Sequence, residues 1–537
     1  MRTDGACDRG ERDPPARHDH DVRRRACAAA RCRLSGALRR MPAPTAFPRN
    51  EDSAMKRAMG FAALVCVVVA ACSAVNPGSG PKPGSGVGTP TPGPAPGPAP
   101  SAAACAPPAA PAPSWFPHAQ TPAPDSAGFQ SSSNCAFHQW SWNAFLWLTQ
   151  DVGGQPRFLT MPSDGIGGVA NGVLDPLIGR SQQARTVELI DQAGPDGVLV
   201  DRHGRAVYYS IHSNDVFGQF MASNHLQDPK ALRAFDPKTP FPVGSMTLKA
   251  AWKVVQPGED VSTFYTRQAT IAKLGMRKGK IVATSDTETQ TVALVGFHIG
   301  GTVNGHPEMI WATFEHQDNA PDLPKPAEEM LPNDVVSAKD WTFYQAGTPM
   351  KQCNVNAAGA GALTLNAQTQ TLSPVTQVCR MVPFGGQKPC PSGQDCNIAN
   401  IQSINASVQG QLNDVWKNYF EVGAIWFVAE DALAPNCTFQ PGSALECIPT
   451  PTPAGAPPLL TGSIKLSNST IETFTQVQST QNNCFACHNT TQVISPDPRA
   501  QSLPGLNVNI SHVVINDYFQ AQLPQKAPPA ARPATPR

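Results

Sequence analysis

The chain has 537 residues, with 41 Lys and Arg against 40 Asp and Glu. This balance argues against nucleic-acid binding, which needs a strongly basic surface, and against an acidic substrate as the main partner. The length would allow about two to four domains. The 55 Pro and 43 Gly indicate that a sizeable part of the chain lies outside packed domains, so the number of domains is lower.

The first segment predicts an export signal. Residues 1–54 are rich in Arg and Pro and show no apolar periodicity, so no helix or strand is expected there. From Met55 a short basic start leads into the apolar run 61–71 and then Cys72. Because this run is about a dozen residues and a membrane helix needs about 20, we expect a cleaved signal peptide. Residues 1–71 are then a non-native leader plus the signal, with translation starting at Met55.

The end of this signal predicts a lipid anchor. The segment Val69-Ala70-Ala71-Cys72 resembles a bacterial lipobox, which would make Cys72 the lipidated first residue of the mature protein. The alternative is an ordinary signal peptide cut after Ala71. With the lipid, the protein is exported and held at a membrane by acyl chains alone, on the periplasmic side or at the cell surface. Ser73 resembles the sorting signal of outer-membrane lipoproteins.

Two segments have the composition of unpacked chain. Residues 72–127 form the lipidated N-terminus and a linker rich in Pro and Gly, which predicts a semi-rigid, extended tether. The tail 524–537 consists largely of Pro and Ala and is expected to be disordered.

Between these segments, residues 128–465 are expected to form a mixed α/β body. Residues 136–149 carry apolar side chains all round a helical period, which predicts a buried helix. Strict alternation over Met246–Val254 predicts a half-exposed strand. Further strand patterns lie at Val198–Val200 and Ala206–Tyr209, joined in a hairpin, and at Val292–Ile299 and Met309–Glu315, joined by a turn at residues 300–305.

A helix is also expected from the spacing of Ile404, Val408, Leu412, Trp416 and Tyr419, running into an apolar stretch at 422–428. The predicted fold class is therefore α+β, with a largely antiparallel β body, accompanying helices and a C-terminal helical segment at 466–523. The sequence shows no internal repeat.

The chemistry-bearing motif lies in this C-terminal segment. Cys484-Phe485-Ala486-Cys487-His488 has the c-type haem attachment pattern, in which two thiols bond to the haem vinyl groups and the adjacent histidine ligates iron. The export signal favours this interpretation, since covalent haem attachment takes place outside the cytoplasm. A thioredoxin-like pair is disfavoured because no βαβ pattern surrounds the motif. A zinc site is disfavoured because no second Cys or His pair follows at suitable spacing.

Through Cys484, Cys487 and His488 the chain resembles bacterial monohaem cytochrome c family proteins. The segment 311–316, Trp-Ala-Thr-Phe-Glu-His, followed by Asn319-Ala320-Pro321, is similar to a group of large, poorly characterised bacterial proteins labelled as cytochrome c family. That second resemblance covers most of residues 130–520. It implies no settled substrate.

In its sixth iron ligand the chain differs from an ordinary small cytochrome c, which uses a downstream Met, because no Met follows His488 here. His512 lies 24 residues downstream, far enough to reach the other haem face, and we expect bis-His ligation by His488 and His512. A Met from the body, such as Met350 or Met381, or an empty sixth position are the alternatives. If His512 does not bind iron, it is expected to be a surface or capping histidine at the end of a short strand.

Two other sets of residues are candidates for a metal site or for disulfides. In the hairpin, His298 and His316 are expected about six residues and about 20 Å apart, too far to share an ion, so each is predicted to be a core or edge histidine. Eight further cysteines in the mature chain suggest disulfides, and we expect the local pairs Cys390–Cys396 and Cys437–Cys447.

These features predict an extracytoplasmic c-type cytochrome that transfers single electrons to or from an unidentified redox protein. Because a body of about 300 residues exceeds what a carrier needs, a haem-dependent oxidoreductase or peroxidase with a pocket between body and haem is the first alternative. A non-catalytic binding lipoprotein is the second.

Overall fold

The computed structural model describes residues 134–162, 173–174, 193, 197–277, 279–385, 397–427, 460–477, 484–495 and 498–522. The predicted leader, signal peptide, lipidation site Cys72, linker and tail lie outside the described residues, as do the predicted pairs Cys390–Cys396 and Cys437–Cys447. Within the described ranges, no helix has both the length and the apolar character needed to cross a membrane.

The fold is mixed α+β, as predicted, with a largely antiparallel β body. Five α-helices are described: α1 (Asn134–Thr149), α2 (Asp215–Ser223), α3 (Pro229–Arg233), α4 (Asn397–Gln409) and α5 (His512–Gln522). The strands are β1 (Val173–Leu174), β2 (Tyr208–Ser213), β3 (Met246–Val254), β4 (Thr266–Arg277), β5 (Lys280–Val303), β6 (His306–His316), β7 (Thr364–Asn366), β8 (Thr371–Ser373), β9 (Tyr419–Phe427) and β10 (Leu460–Gly462).

One large sheet organises the body. The long strand β5 pairs with β4 along its first half and with β3 along its second, and β2 adds to β3. The second half of β5 also pairs with β6, which lies on the edge opposite β3 and on the same edge as β4, and the sheet continues from β6 through β9 to β10. These pairings are antiparallel, while β1 pairs with β4 in parallel. The strands β7 and β8 form a separate two-stranded sheet.

Helix α1 covers one face of this sheet and is buried nearly all round, as its composition predicts. The Phe145 ring stacks on Phe314 with centroids 4.3 Å apart, and Trp142 meets Phe314 edge-on at 5.0 Å. Burying each such side chain contributes about 1.5–3 kcal/mol, and aromatic pairing adds about 0.5–1.5 kcal/mol. The predicted hairpin is confirmed as well, because Val200 and Ala206 form an antiparallel bridge around Asp201–Arg205.

The boundaries of β3 match the prediction, but its predicted exposed face is wrong. All of its residues are buried except Lys249, which is half-buried. Met246, Leu248 and Trp252 join the core beneath α1. The opposite face of the sheet is covered by later parts of the chain, which alternation within a single strand cannot reveal.

The predicted turn at residues 300–305 is also shorter than expected, because β5 continues to Val303 and the reversal falls at Asn304 and Gly305. Gly300 and Gly301 serve packing rather than turning. A Cβ at Gly301 would lie 2.5 Å from the Trp140 ring, and one at Gly300 would lie 2.7 Å from the Trp311 ring. The two glycines let an indole approach the strand on each of its faces.

The helix predicted across residues 404–419 is wrong beyond Gln409. Helix α4 ends before Gly410, and a short 3₁₀ turn at Val415–Asn418 is capped by the Asp414 side chain, which accepts from the Trp416 backbone N–H at 3.0 Å. Tyr419 then begins strand β9. The apolar spacing was suited to a helix, yet the pairing of β9 with β6 decides the local structure.

The C-terminal segment packs on the sheet face opposite α1. Phe485, Val508, Val514 and Phe519 share one hydrophobic cluster with side chains of the sheet and α2, including Trp311, Phe427 and Phe217. Ile471 and Phe474 join a neighbouring cluster with Ala251 and Val295 of the sheet. This second layer places the Cys484–His488 motif directly against the strands.

Candidate functional site

The Cys484–His488 motif forms a tight turn, and its two thiols are not in a disulfide. Cys484–Ala486 is a 3₁₀ turn, and the backbone N–H of His488 donates to the carbonyl of Cys484 at 2.8 Å. The Phe485 side chain anchors the turn by packing on Phe427, with ring centroids 4.5 Å apart. Cys484 and Cys487 are free thiols. Burial raises the pKa of Cys487 to about 12, so the uncharged thiol predominates at neutral pH.

The imidazole of His488 is held in a single tautomer. Its Nδ1 lies 2.9 Å from the carbonyl oxygen of Ile510. Because a carbonyl accepts and cannot donate, Nδ1 carries the proton and Nε2 keeps a free electron pair. A metal-binding histidine is commonly oriented in this way, by donating its second ring nitrogen to a backbone carbonyl. Burial also holds the pKa of His488 well below its usual value, which keeps the ring neutral.

Both faces of the His488 ring are covered. The Trp311 indole stacks on one side at a centroid distance of 3.8 Å, and the His512 ring stacks at 3.8 Å as well. Trp311 is fixed in turn, because its Nε1–H donates to the Glu308 carbonyl at 3.2 Å. These contacts leave the His488 ring little freedom to rotate.

A cleft opens beside His488, between the sheet and the C-terminal segment. Its empty volume is about 490 Å³, part of which is open to solvent. The sheet contributes Lys249 of β3 and His298 of β5, which are direct cross-strand partners. The C-terminal segment contributes His488, Ser511 and His512. The cleft therefore joins residues that are about 240 positions apart in the sequence.

His298 was predicted to be a core or edge histidine, but the structure places it in this cleft. Its Nε2 lies 2.8 Å from Asn468 Nδ2, an amide donor, so the proton of the neutral ring is on Nδ1. The expected separation from His316 is also wrong. His298 pairs with Thr313, three positions from His316 or about 10 Å along the strand.

His316 itself belongs to a different environment, stacked on Phe264 at 3.5 Å, and it does not line the cleft.

His512 begins helix α5 instead of ending a strand. Its Nε2 donates to the carbonyl of Cys487 at 3.1 Å, while its buried Nδ1 has no hydrogen-bond partner in the structure. A metal–imidazole bond is about 2 Å, so bis-His ligation requires the two rings on opposite sides of one iron. Here the rings of His488 and His512 lie face to face. The predicted role of His512 as the sixth ligand thus requires a different placement of its ring.

The predicted alternatives Met350 and Met381 pack beside the disulfide Cys353–Cys379 and do not line the cleft.

The residues present fit a covalently bound haem better than a metal held by protein side chains alone. In the described part of the chain, no three His, Cys, Asp or Glu side chains are grouped closely enough to hold an ion. A haem brings four of its own nitrogen ligands. It needs two thiols, one oriented imidazole and an adjoining space. Cys484, Cys487 and His488 supply the thiols and the imidazole within one turn of chain, and the cleft adjoins His488, although the two cysteines do not line it.

The cleft residues that the sequence did not assign to a site include Lys249, His298, Trp311 and Ser511. Lys249 carried a weak signal, being a charged residue inside an apolar alternation.

No protein-family model, no curated protein and no solved structure matches this chain.

Proposed function

We propose that the protein is an extracytoplasmic c-type cytochrome that binds one covalent haem through Cys484, Cys487 and His488 and transfers single electrons. The observation that carries this proposal is the orientation of His488, whose Nδ1–H is bonded to the Ile510 carbonyl while Nε2 stays free, in the same turn of chain as the free thiols of Cys484 and Cys487. An iron porphyrin bound there would supply reversible one-electron chemistry.

The chain's own part in this function is to bind and orient. Cys484 and Cys487 would hold the haem covalently, and His488 would supply an imidazole whose tautomer is already set by Ile510. Trp311 and His512 clamp the imidazole from both faces. The apolar contact of Phe485 with Phe427 fixes the turn to the sheet. The proposed export and the lipid at Cys72 would place this site at a membrane surface, within reach of a redox partner protein.

A haem-dependent oxidoreductase is the second candidate. The observation that favours it is the cleft, because Lys249 and His298 present polar groups from the sheet into the space beside His488. A carrier needs no such lining, whereas a small substrate would meet charged and hydrogen-bonding groups there. The sixth iron position separates the two functions, since a ligand from the chain closes it and a vacant site admits a small molecule.

The test is covalent haem attachment. We expect the full chain, produced together with a c-haem maturation system, to retain its haem after denaturation, seen in the spectrum and as a mass increase of one haem. The double variant Cys484→Ala/Cys487→Ala should lose it completely. As a matched control, the double variant Cys353→Ser/Cys379→Ser removes two cysteines of a disulfide away from the cleft and should keep its haem.

A denatured wild-type protein without haem would refute the cytochrome proposal and leave the binding lipoprotein. If haem is present, carbon monoxide binding to the reduced protein would favour the oxidoreductase. A low-spin spectrum unaffected by carbon monoxide would favour the carrier. The variant His512→Ala tests the sixth ligand, because loss of an axial imidazole turns a low-spin spectrum high-spin.

A further inference from the structure

The lining of the cleft contains polar atoms that the described protein does not satisfy. Ser511 is 1 % exposed, and its hydroxyl has no hydrogen-bond partner. The Nδ1 of His512, a residue 7 % exposed, has none either. A buried polar group without a partner costs about 1–3 kcal/mol, so such groups are rare unless a ligand or water satisfies them.

Ser511 is unusual for its position. It lies directly before helix α5, where a serine hydroxyl commonly accepts from a backbone N–H of the first helical turn. Its hydroxyl makes no such bond, although its carbonyl accepts from the Ile515 N–H at 3.4 Å. The side chain is therefore available to the cleft that it lines.

A lysine lines the cleft together with these groups, and burial lowers its pKa because desolvation disfavours the charged form. Lys249 lines the same cleft and forms no ion pair or hydrogen bond with any residue that the structure describes. Glu472 is the carboxylate that acts on it electrostatically, but it does not come within salt-bridge distance. His298, the cross-strand partner of Lys249, carries its proton on Nδ1 and adds a hydrogen-bond donor.

We infer that the cleft contains an anion site, in which Lys249 and Ser511 bind a carboxylate or small oxyanion beside His488. The donors are an ammonium group, a hydroxyl and an imidazole N–H, a set that suits negatively charged oxygen. The His512 Nδ1 is an acceptor, because its Nε2 is the donor to Cys487. It matches an oxyanion that keeps one O–H group, such as hydrogen phosphate.

The anion has two possible sources with the same chemistry. One is a carboxylate of the bound haem itself, and the other is a free oxyanion that enters from solvent. The first source rests on the proposed function, whereas the second can be examined with or without haem.

The test titrates inorganic phosphate by calorimetry into two forms of the full chain: the haem-loaded protein and the haem-free Cys484→Ser/Cys487→Ser variant. Each form is also made with Lys249→Met, and with Lys351→Met at an exposed lysine as the matched control. A free oxyanion site predicts that the haem-loaded protein binds phosphate and that Lys249→Met raises Kd at least tenfold, while Lys351→Met leaves it unchanged.

A site filled by the haem carboxylate gives a different result. Only the haem-free form then binds phosphate in a Lys249-dependent way, and Lys249→Met lowers the midpoint potential of the haem-loaded protein, because a nearby positive charge favours the added electron. The inference is overturned if neither form binds phosphate through Lys249 and the potential of Lys249→Met equals that of Lys351→Met.

Failure of the proposed function is recognised separately. It appears as absence of covalent haem in the wild-type chain, and the phosphate titration of the haem-free chain still decides on the anion site. Far-UV circular dichroism and the thermal unfolding midpoint establish that each variant is folded. Should the double cysteine variant not fold, the comparison of Lys249→Met with Lys351→Met in the haem-loaded protein decides the question.

Discussion

The sheet body and the cleft differ in whether their buried ionisable side chains are paired. In the body, three buried carboxylates have a basic side chain as partner: Glu421 bonds His138 at 2.8 Å, Glu308 bonds His306 at 2.9 Å, and Glu315 bonds Arg380 at 3.0 Å. At the cleft, Lys249 forms no ion pair with the described residues. Burying a charge is costly unless it is paired. A buried amine without an ion pair responds with a lowered pKa, as Lys249 does, or by binding an anion, as we infer for the cleft.

The largest expected effect comes from breaking a pair in the body. Arg380→Met would leave Glu315, which is fully buried, without its guanidinium partner. Removing one member of a buried ion pair costs about 3–5 kcal/mol, so the free energy of unfolding should fall by that amount in chemical denaturation. The half-exposed Arg202, 3.6 Å from Asp340, provides the control, and Arg202→Met should cost less than about 1 kcal/mol.

Equal losses in these two variants would contradict the view that the body depends on its buried pairs.

The next effect concerns pH. Burial lowers the pKa of His316 to about 4, and its Nδ1 accepts from the Asp318 backbone N–H at 3.2 Å, a bond that protonation would break. The unfolded chain takes up the proton near pH 6.5 and the folded chain only near pH 4. Stability is therefore complete above about pH 6.5 and falls as the pH decreases, by about 3 kcal/mol at pH 4.

Thermal unfolding of the wild type and of His316→Gln between pH 8 and pH 4 measures this contribution. The variant should start with a lower midpoint and lose less of it on acidification. If both proteins show the same dependence on pH, the acid sensitivity resides in other groups.

A smaller effect is expected from the packing of β5. In Gly301→Ala the new methyl group would lie 2.5 Å from the Trp140 ring, and relieving this overlap should cost about 1–3 kcal/mol. Gly218 in helix α2 has open space around it, so Gly218→Ala should instead stabilise the protein by about 0.5–1 kcal/mol. Chemical denaturation of both variants compares them, and a neutral Gly301→Ala would show that the sheet and α1 can separate without cost.

The smallest expected change in stability is at the cleft. Lys249→Met removes a charge without an ion-pair partner from a partly desolvated position and keeps most of the side-chain volume. We expect the free energy of unfolding of the haem-free protein to stay unchanged or to rise by about 1 kcal/mol, opposite in sign to Arg380→Met. A loss as large as that of Arg380→Met would place Lys249 among the structural charges and remove the contrast between the two regions.

The local pattern of apolar residues was sufficient to predict several helices and strands of the fold. The apolar residues all round α1 and the alternation in β3 located both elements from the sequence, although the second buried face of β3 was not predicted. Beyond Gly410 the prediction of a helix was wrong. Trp416 and Tyr419 fit a helical spacing, but the chain forms a 3₁₀ turn and then β9. Pairing with β6, about 100 residues earlier, outweighs local spacing there.

For the candidate site, the sequence by itself determined the Cys484–His488 motif on which the proposed haem attachment rests, because Cys484, Cys487 and His488 are close in the chain. It did not determine what surrounds them. Lys249 and His298 face the motif because two antiparallel strands pair in one register and the C-terminal segment packs on that face of the sheet. Such long-range contacts depend on the packing of the whole body, so the tertiary structure alone decided which side chains line the cleft beside His488.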